Sequence, residues 1–144
     1  MGIGYKEKNF KRYLENHFEI FLPPGVQIFY TRGVRVGNKD IDKSKIDGEL
    51  GYAACDFGFN PTNAIVQNFG YIAKKNVKEL DEKQAKEFAS GKSIPCNLGK
   101  SKSKQLIMKY KTHIIGLGFY DKDKKRIVNK IPEKRRREII NQIN

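Results

Sequence analysis

The residues of this sequence best suited to chemistry are cations close to its C-terminal end. Lys134, Arg135, Arg136 and Arg137 are consecutive, and each close pair of like charges costs up to about 1 kcal/mol in water. A phosphate backbone would neutralise such a run, and arginine also binds phosphate through two parallel hydrogen bonds and stacks on bases. The run is therefore a candidate nucleic-acid contact. A solvated charged tail and adsorption to an anionic membrane are the alternatives, although few apolar residues follow it.

Further lysines upstream suit contact with phosphate. Lys100, Lys102 and Lys104 alternate with other residues in the segment GKSKSK, which is predicted to be a loop. Such a loop makes non-specific phosphate contacts or is simply solvated. Lys130, on the last predicted strand, belongs to the same candidate set.

An aromatic residue lies between two more cations in the sequence Lys109, Tyr110, Lys111. On a strand, the two lysines would share one face and Tyr110 would lie on the other. The lysines are then predicted to face RNA. Tyr110 either packs in the core or offers a ring on which a base stacks.

Catalytic or metal chemistry has weaker support. Nucleophilic catalysis needs a nucleophile, a base and an orienting acid, and no pattern places His17 or His113 beside Cys55. The two cysteines do not form a Cys-x-x-Cys pair, which disfavours a zinc site. The sequence therefore predicts no catalytic residue, no metal ligand and no cofactor. An unrecognised enzyme site around Cys55, Asp56 and Thr62 remains an alternative.

The charge of the whole chain favours a polyanionic partner. The 144 residues carry a net charge of +13. Residues 1–72 hold 9 basic and 8 acidic side chains, whereas residues 73–144 hold 20 basic and 8 acidic ones. Such a field attracts nucleic acid. Thermophilic surfaces are also rich in lysine, but they usually balance it with glutamate.

Nothing in the sequence indicates a membrane protein. No stretch approaches the roughly 20 apolar residues of a membrane helix, and the segment MGIGYKEKNFKRYLENHF lacks the apolar core of a signal peptide. A cytoplasmic location is therefore expected.

Local patterns predict mixed secondary structure in the first half. A helix is expected over residues 5–20 from the spacing of its apolar residues, and a strand over 26–31. An apolar run at 50–58 is a candidate buried strand, and 63–73 a short helix. These elements predict a small α/β module over residues 1–73.

The second half reads as strands around one helix. A strand over 77–80 precedes Asp81, which is placed to cap a helix that ends at Gly91. The later segment 133–144 is a tail or a short helix. Further strands are predicted over residues 92–96, 105–111, 113–120 and 126–131.

The segments NVKELDEKQAKEFASGKSI and IMKYKTHIIGLGFYDKDKKRIVNKIPEKRRR resemble a PUA domain. More narrowly, they resemble the version at the C-terminus of Sun-type RNA 5-methylcytosine methyltransferases and in small ribosome-biogenesis proteins with an extra N-terminal module. The features that carry the resemblance are the Phe-x-x-Gly-Lys end of the helix, the Gly116-Leu117-Gly118 bend and the closing basic cluster. The resemblance covers residues 76–137, and 60–75 more loosely.

The resemblance implies an α+β protein in which the N-terminal α/β module precedes a PUA-like mixed β-barrel over residues 74–144. It also implies that the Gly91–Lys92 junction lies against RNA, with the glycine permitting close approach. Sun-type enzymes carry a Rossmann-like catalytic domain, for which this chain is too short. The resemblance therefore implies RNA binding without methyl transfer.

The predicted function is non-catalytic binding of structured RNA, tRNA or rRNA, by an accessory factor in RNA modification or ribosome biogenesis. The alternative is a protein-interaction subunit whose N-terminal module binds an RNA-modifying enzyme or a ribosome-assembly protein. No membrane partner is expected. The predicted RNA-binding residues are Gly91, Lys92, Lys100, Lys102, Lys104, Lys109, Lys111, Lys130, Lys134, Arg135, Arg136 and Arg137.

Overall fold

The structure is a computed structural model that describes residues 3–30, 33–38, 52–55 and 60–143. The chain divides into two compact units, Met1–Lys75 and Asn76–Asn144. The chain combines helices with mostly antiparallel strands, as the predicted α+β class requires.

The first unit packs a helix with a small sheet. Helix α1, Ile3–Phe18, buries Phe10, Leu14 and Phe18, which recur every four residues as the helical period requires. Strands β1, β2 and β3 are antiparallel and lie in that order in the sheet. They span Val26–Tyr30, Val34–Asn38 and Tyr52–Ala53. Most of the apolar run at 50–58 lies outside the described residues.

The first unit ends with helix α2, Asn63–Phe69, and a 3-10 turn, Gly70–Ile72. Thr62 caps α2, because its Oγ1 accepts a hydrogen bond from the Ile65 N–H at 3.3 Å. The same hydroxyl donates to the carbonyl of Ala53 at 2.7 Å. The cap therefore also ties α2 to β3.

The second unit is built on a five-stranded sheet in the order β4-β6-β7-β8-β5. Only the pairing of β4 with β6 is parallel. The hydrogen-bonded ladders leave β4 and β5 as the two edges of this sheet. The strands span Val77–Glu79, Ile94–Pro95, Lys104–Tyr110, His113–Asp121 and Arg126–Asn129 for β4 to β8.

The predicted bend in the Gly-x-Gly strand coincides with a change of register. Met108 pairs with Gly116, whereas Lys109 pairs with Ile114, so Ile115 is an extra residue on β7. An extra residue on one strand bends it and increases its twist. The sheet therefore bends at the position that the glycine-rich sequence indicated.

Two helices cover the second sheet. Helix α3, Glu82–Ala89, begins in a reciprocal capping box between Asp81 and Gln84. It buries Ala85, Phe88 and Ala89 in the core. Helix α4, Glu133–Ile143, settles the alternative that the sequence left open between a tail and a helix.

Among the described residues, no helix combines the length and the apolar character that a membrane crossing requires.

Candidate nucleic-acid interface

One end of the second sheet gathers basic residues that are far apart in the sequence. The start of β6 lies beside the end of β7, because Lys104 pairs with Tyr120. The start of β8 lies beside the end of β5, because Arg126 pairs with Pro95. The β5–β6 loop and the β7–β8 hairpin therefore meet at this end. Their cations, which we call the hairpin-end cluster, are Lys100, Lys102, Lys104, Lys122, Lys124, Lys125 and Arg126.

Hydrogen bonds join the loop to the hairpin. The Lys122 N–H donates to Ser103 Oγ at 3.0 Å, and the Cys96 N–H donates to the carbonyl of Lys125 at 3.0 Å. The Leu98 N–H donates to the hydroxyl of Tyr120, whose ring is buried in the core, at 3.0 Å. The loop predicted from GKSKSK is therefore held at both ends to the hairpin and the core.

The hairpin uses its own carboxylate to order its backbone. Asp121 Oδ1 accepts hydrogen bonds from the N–H groups of Asp123 and Lys124, at 3.0 and 3.2 Å. The two segments that form the cluster contain seven cations and only two carboxylates, Asp121 and Asp123. None of the seven forms an ion pair with any residue that the structure describes. The cluster is thus a concentrated, uncompensated positive surface.

Four members of this cluster are absent from the sequence-predicted set: Lys122, Lys124, Lys125 and Arg126. The sequence DKDKK, between the last two predicted strands, indicates only a charged hairpin loop. A hairpin between the last two strands was visible in the sequence. Its position beside the Lys100–Lys104 loop depends on the register of β6 with β7, in which Lys104 pairs with Tyr120, and the pairing of β5 with β8 brings the other end of the loop to the hairpin.

A second basic site lies at the opposite end of β8. Asn129 Nδ2 donates to the carbonyls of Phe88 and Lys92, at 2.5 and 3.1 Å. The exposed Lys92 and Lys130 are therefore held on either side of Asn129. Three residues of strand separate Asn129 from Arg126, which corresponds to about 10 Å.

Gly91 lies at the end of α3 with a φ of +106°, which L side chains rarely adopt. Because Gly91 has no side chain, another group can approach its backbone closely. In this structure that group is the guanidinium of Arg136. A Cβ at Gly91 would lie 2.6 Å from Arg136 Cζ. In this structure the surface next to Gly91 is therefore covered by a protein guanidinium.

The four consecutive cations do not form one patch, because they lie on a helix. Successive helical residues are separated by 100°, so Lys134 to Arg137 surround α4. Arg136 is half-buried, on the side of Ile139 and Ile140. Arg135 lies 3.8 Å from Glu138. Lys134, Arg135 and Arg137 are all exposed, and Lys134 and Arg137 form no ion pair with any described residue.

The prediction that Lys109 and Lys111 share a strand face is wrong. Strand β6 ends at Tyr110, and Lys111 lies in the following turn with a φ of +53°. Its Nζ is 5.3 Å from the centre of the Tyr110 ring, and Tyr110 itself packs against the core. Lys109 Nζ lies 4.0 Å from Glu79 Oε1. Both lysines are about 20 Å from Lys104, at the other end of β6.

The residues considered for catalysis have other surroundings. The Thr62 hydroxyl is engaged as a helix cap, the Cys55 thiol is half-buried, and Asp56 lies outside the described residues. His17 stacks on Tyr13, with 5.1 Å between the ring centres. His113 is exposed at the start of β7. Within the described ranges, no three His, Cys, Asp or Glu side chains are grouped as metal ligands.

No protein-family model matches this chain, and no curated protein is significantly similar to it. The resemblance to PUA domains therefore rests on the quoted segments alone.

Proposed function

We propose that the second unit, residues 76–144, binds structured RNA such as tRNA or rRNA, without catalysing a reaction, through the hairpin-end cluster. The observation that carries this proposal is the convergence of seven cations from two separate segments on one end of a sheet. A phosphate backbone is the ligand that such a surface attracts most strongly, because each contact releases condensed counterions.

The charge of the second unit supports a polyanion over a small anion. Residues 76–144 hold 18 basic and 8 acidic side chains, and the cluster occupies two loops rather than an enclosed pocket. A long anion can contact several of these lysines at once, whereas a single phosphate cannot. Contacts of this kind hold the backbone of RNA and are largely independent of base sequence.

The second basic site extends the same surface. Lys130 lies four residues from Arg126, about 13 Å along an extended chain, and the Lys92 carbonyl is bound by Asn129 of β8, so an RNA backbone that follows β8 would contact both sites. The resemblance of residues 76–137 to PUA domains supports RNA as the polyanion. With a PUA-like barrel, the protein would act as an accessory factor in RNA modification or ribosome biogenesis.

Binding of labelled tRNA and of an rRNA fragment across a salt series tests the proposal. The variant Lys122→Ala/Lys124→Ala removes two exposed cluster cations and leaves the backbone hydrogen bonds of the hairpin in place. We expect affinity to fall and the slope of log K against log salt to become shallower by about 1 to 2.

The matched control is Lys83→Ala/Lys86→Ala, which removes the same charge from the exposed side of α3. It should bind nearly as well as the wild type. Equal losses in the two variants would mean that total charge drives binding, and not the hairpin-end cluster. The proposal is overturned if neither RNA binds below about 10 µM at roughly 100 mM salt, a level that ordinary basic adsorption approaches.

A further inference from the structure

The first unit contains a groove between helix α1 and the segment that leads into β1. Its volume is about 460 Å³, which lies within the size range of ligand-binding clefts. Lys8 and Lys11 of α1 line it together with residues 22–28. We name it the α1–β1 groove.

The chemistry of the groove is divided between its two sides. The α1 side provides two exposed cations, and no carboxylate is among the lining residues that the structure describes. The opposite side is mostly aliphatic, with Leu22, Pro23, Val26 and Ile28. An occupant must therefore be anionic towards the helix and apolar towards β1.

From this division we infer that the α1–β1 groove binds an extended protein segment in which acidic and apolar residues alternate. Alternate side chains of an extended chain point to opposite faces, so such a segment presents all its carboxylates to one side and its apolar groups to the other. This binding surface is independent of the proposed RNA site, since it belongs to the other unit.

The spacing of the two lysines supports an extended peptide. Residues three apart on a helix have Cβ atoms roughly 5–6 Å apart. Carboxylates on residues i and i+2 of an extended chain are roughly 7 Å apart. Because lysine side chains are long and flexible, Lys8 and Lys11 can each reach one carboxylate of such a pair.

The apolar side argues against a nucleic acid as the occupant. Binding of single-stranded RNA relies on aromatic rings on which bases stack, and the groove is lined by aliphatic residues and proline instead. Burial of an apolar peptide side chain against these residues is favourable.

Fluorescence anisotropy of a labelled eight-residue peptide of alternating Glu and Val, titrated with the full chain, tests the inference. Lys8→Ala/Lys11→Ala should weaken binding by roughly 3- to 30-fold, the effect of removing two partly exposed ion pairs. A second peptide, in which glutamine replaces every glutamate, has no carboxylates on its side chains. It should also bind more weakly than the Glu–Val peptide. The unfolding transitions of this variant and of the control variant described below are measured in parallel, to establish that both proteins are folded.

The matched control is Arg12→Ala/Lys74→Ala, which removes two exposed cations of the same unit that do not line the groove. It should leave peptide affinity within about twofold of wild type. Three results would overturn the inference: no binding of the Glu–Val peptide up to about 1 mM, equal losses in both double variants, or displacement of the peptide by a uridine octanucleotide with the same dependence on Lys8 and Lys11. RNA binding at the hairpin-end cluster is measured separately, and its failure would not affect this result.

Discussion

The guanidinium of Arg136 lies directly against the backbone of Gly91, and any Cβ at residue 91 would be 2.6 Å from Arg136 Cζ. This contact joins the C-terminal end of α3 to α4. A cation near the carbonyl end of a helix is favourable. Arg136 Nε is buried without a hydrogen-bond partner in the described structure, which offsets part of this gain. These surroundings indicate that Arg136 stabilises the second unit, unlike its exposed neighbours.

The replacement Gly91→Ala should destabilise the second unit by about 1–3 kcal/mol, because an L residue is strained at a φ of +106° and its Cβ meets the guanidinium. Urea unfolding followed by circular dichroism measures this loss. The double variant Gly91→Ala/Arg136→Ala should lose less than the sum of the single variants, since the second change removes the steric part. Simple additivity would show that the two residues do not interact.

Two consecutive arginines of α4, the half-buried Arg136 and the exposed Arg137, should behave differently. We expect Arg137→Ala to weaken RNA binding and reduce the salt slope by about 1 while stability changes little, because the side chain is exposed. Arg136→Ala should reduce stability while RNA affinity, measured where the protein stays folded, changes less. Salt-dependent RNA titrations and urea unfolding of both variants distinguish them, and the reverse pattern would contradict this assignment.

Asn129 should be more important for stability than its polar character suggests. Its side chain donates to the carbonyls of Phe88 and Lys92 and accepts from the Ile131 N–H at 2.9 Å. Asn129→Ala removes these three hydrogen bonds, although the Phe88 carbonyl keeps the one from the Gly91 N–H, and should cost about 2–3 kcal/mol in urea unfolding. Asn97→Ala is the control, since the exposed Asn97 accepts one hydrogen bond, from the Gly99 N–H. A similar loss in both variants would contradict the role assigned to Asn129.

Burial raises the pKa of Tyr13 to about 12. Between pH 10 and pH 12 the unfolded chain releases this proton while the folded chain retains it, so stability should fall as pH rises through this range. Below pH 10 both states are protonated and Tyr13 adds no pH dependence. The replacement Tyr13→Phe should make unfolding less sensitive to pH above 10. The replacement Tyr71→Phe, at a tyrosine that is 63% exposed, should not.

Features that depend on neighbours in the sequence were predicted well. Asp81 caps α3 as expected, with Gln84 completing the capping box, and the bend predicted at the Gly116–Gly118 strand coincides with a register shift. Caps and glycine bends depend on a few consecutive residues, so their signals are local. The prediction that Lys109 and Lys111 share a strand face was wrong because β6 ends at Tyr110, one residue before Lys111. The ends of strands are only weakly marked in a sequence.

The grouping of cations could not be predicted in the same way. Four consecutive basic residues look like one site in a sequence, yet their distribution around α4 depends on which helix face packs on the core. Ile139, which is buried, and the half-buried Ile140 set that face. The cap that Thr62 provides for α2 is local, whereas the hydrogen bond from its hydroxyl to the carbonyl of Ala53 depends on β3 and α2 being adjacent.

The sequence by itself determined that positive charge is concentrated in the second half of the chain, and that this half combines strands with a capped helix. Only the tertiary structure decided which cations are neighbours. The register of β6 with β7 brings Ser103 and Lys104 beside the Lys122–Lys125 hairpin, and the non-local pairing of β5 with β8 brings the other end of the same loop to it. The physical reason is that charge and helix caps are properties of short segments, whereas strand order results from burying one common core.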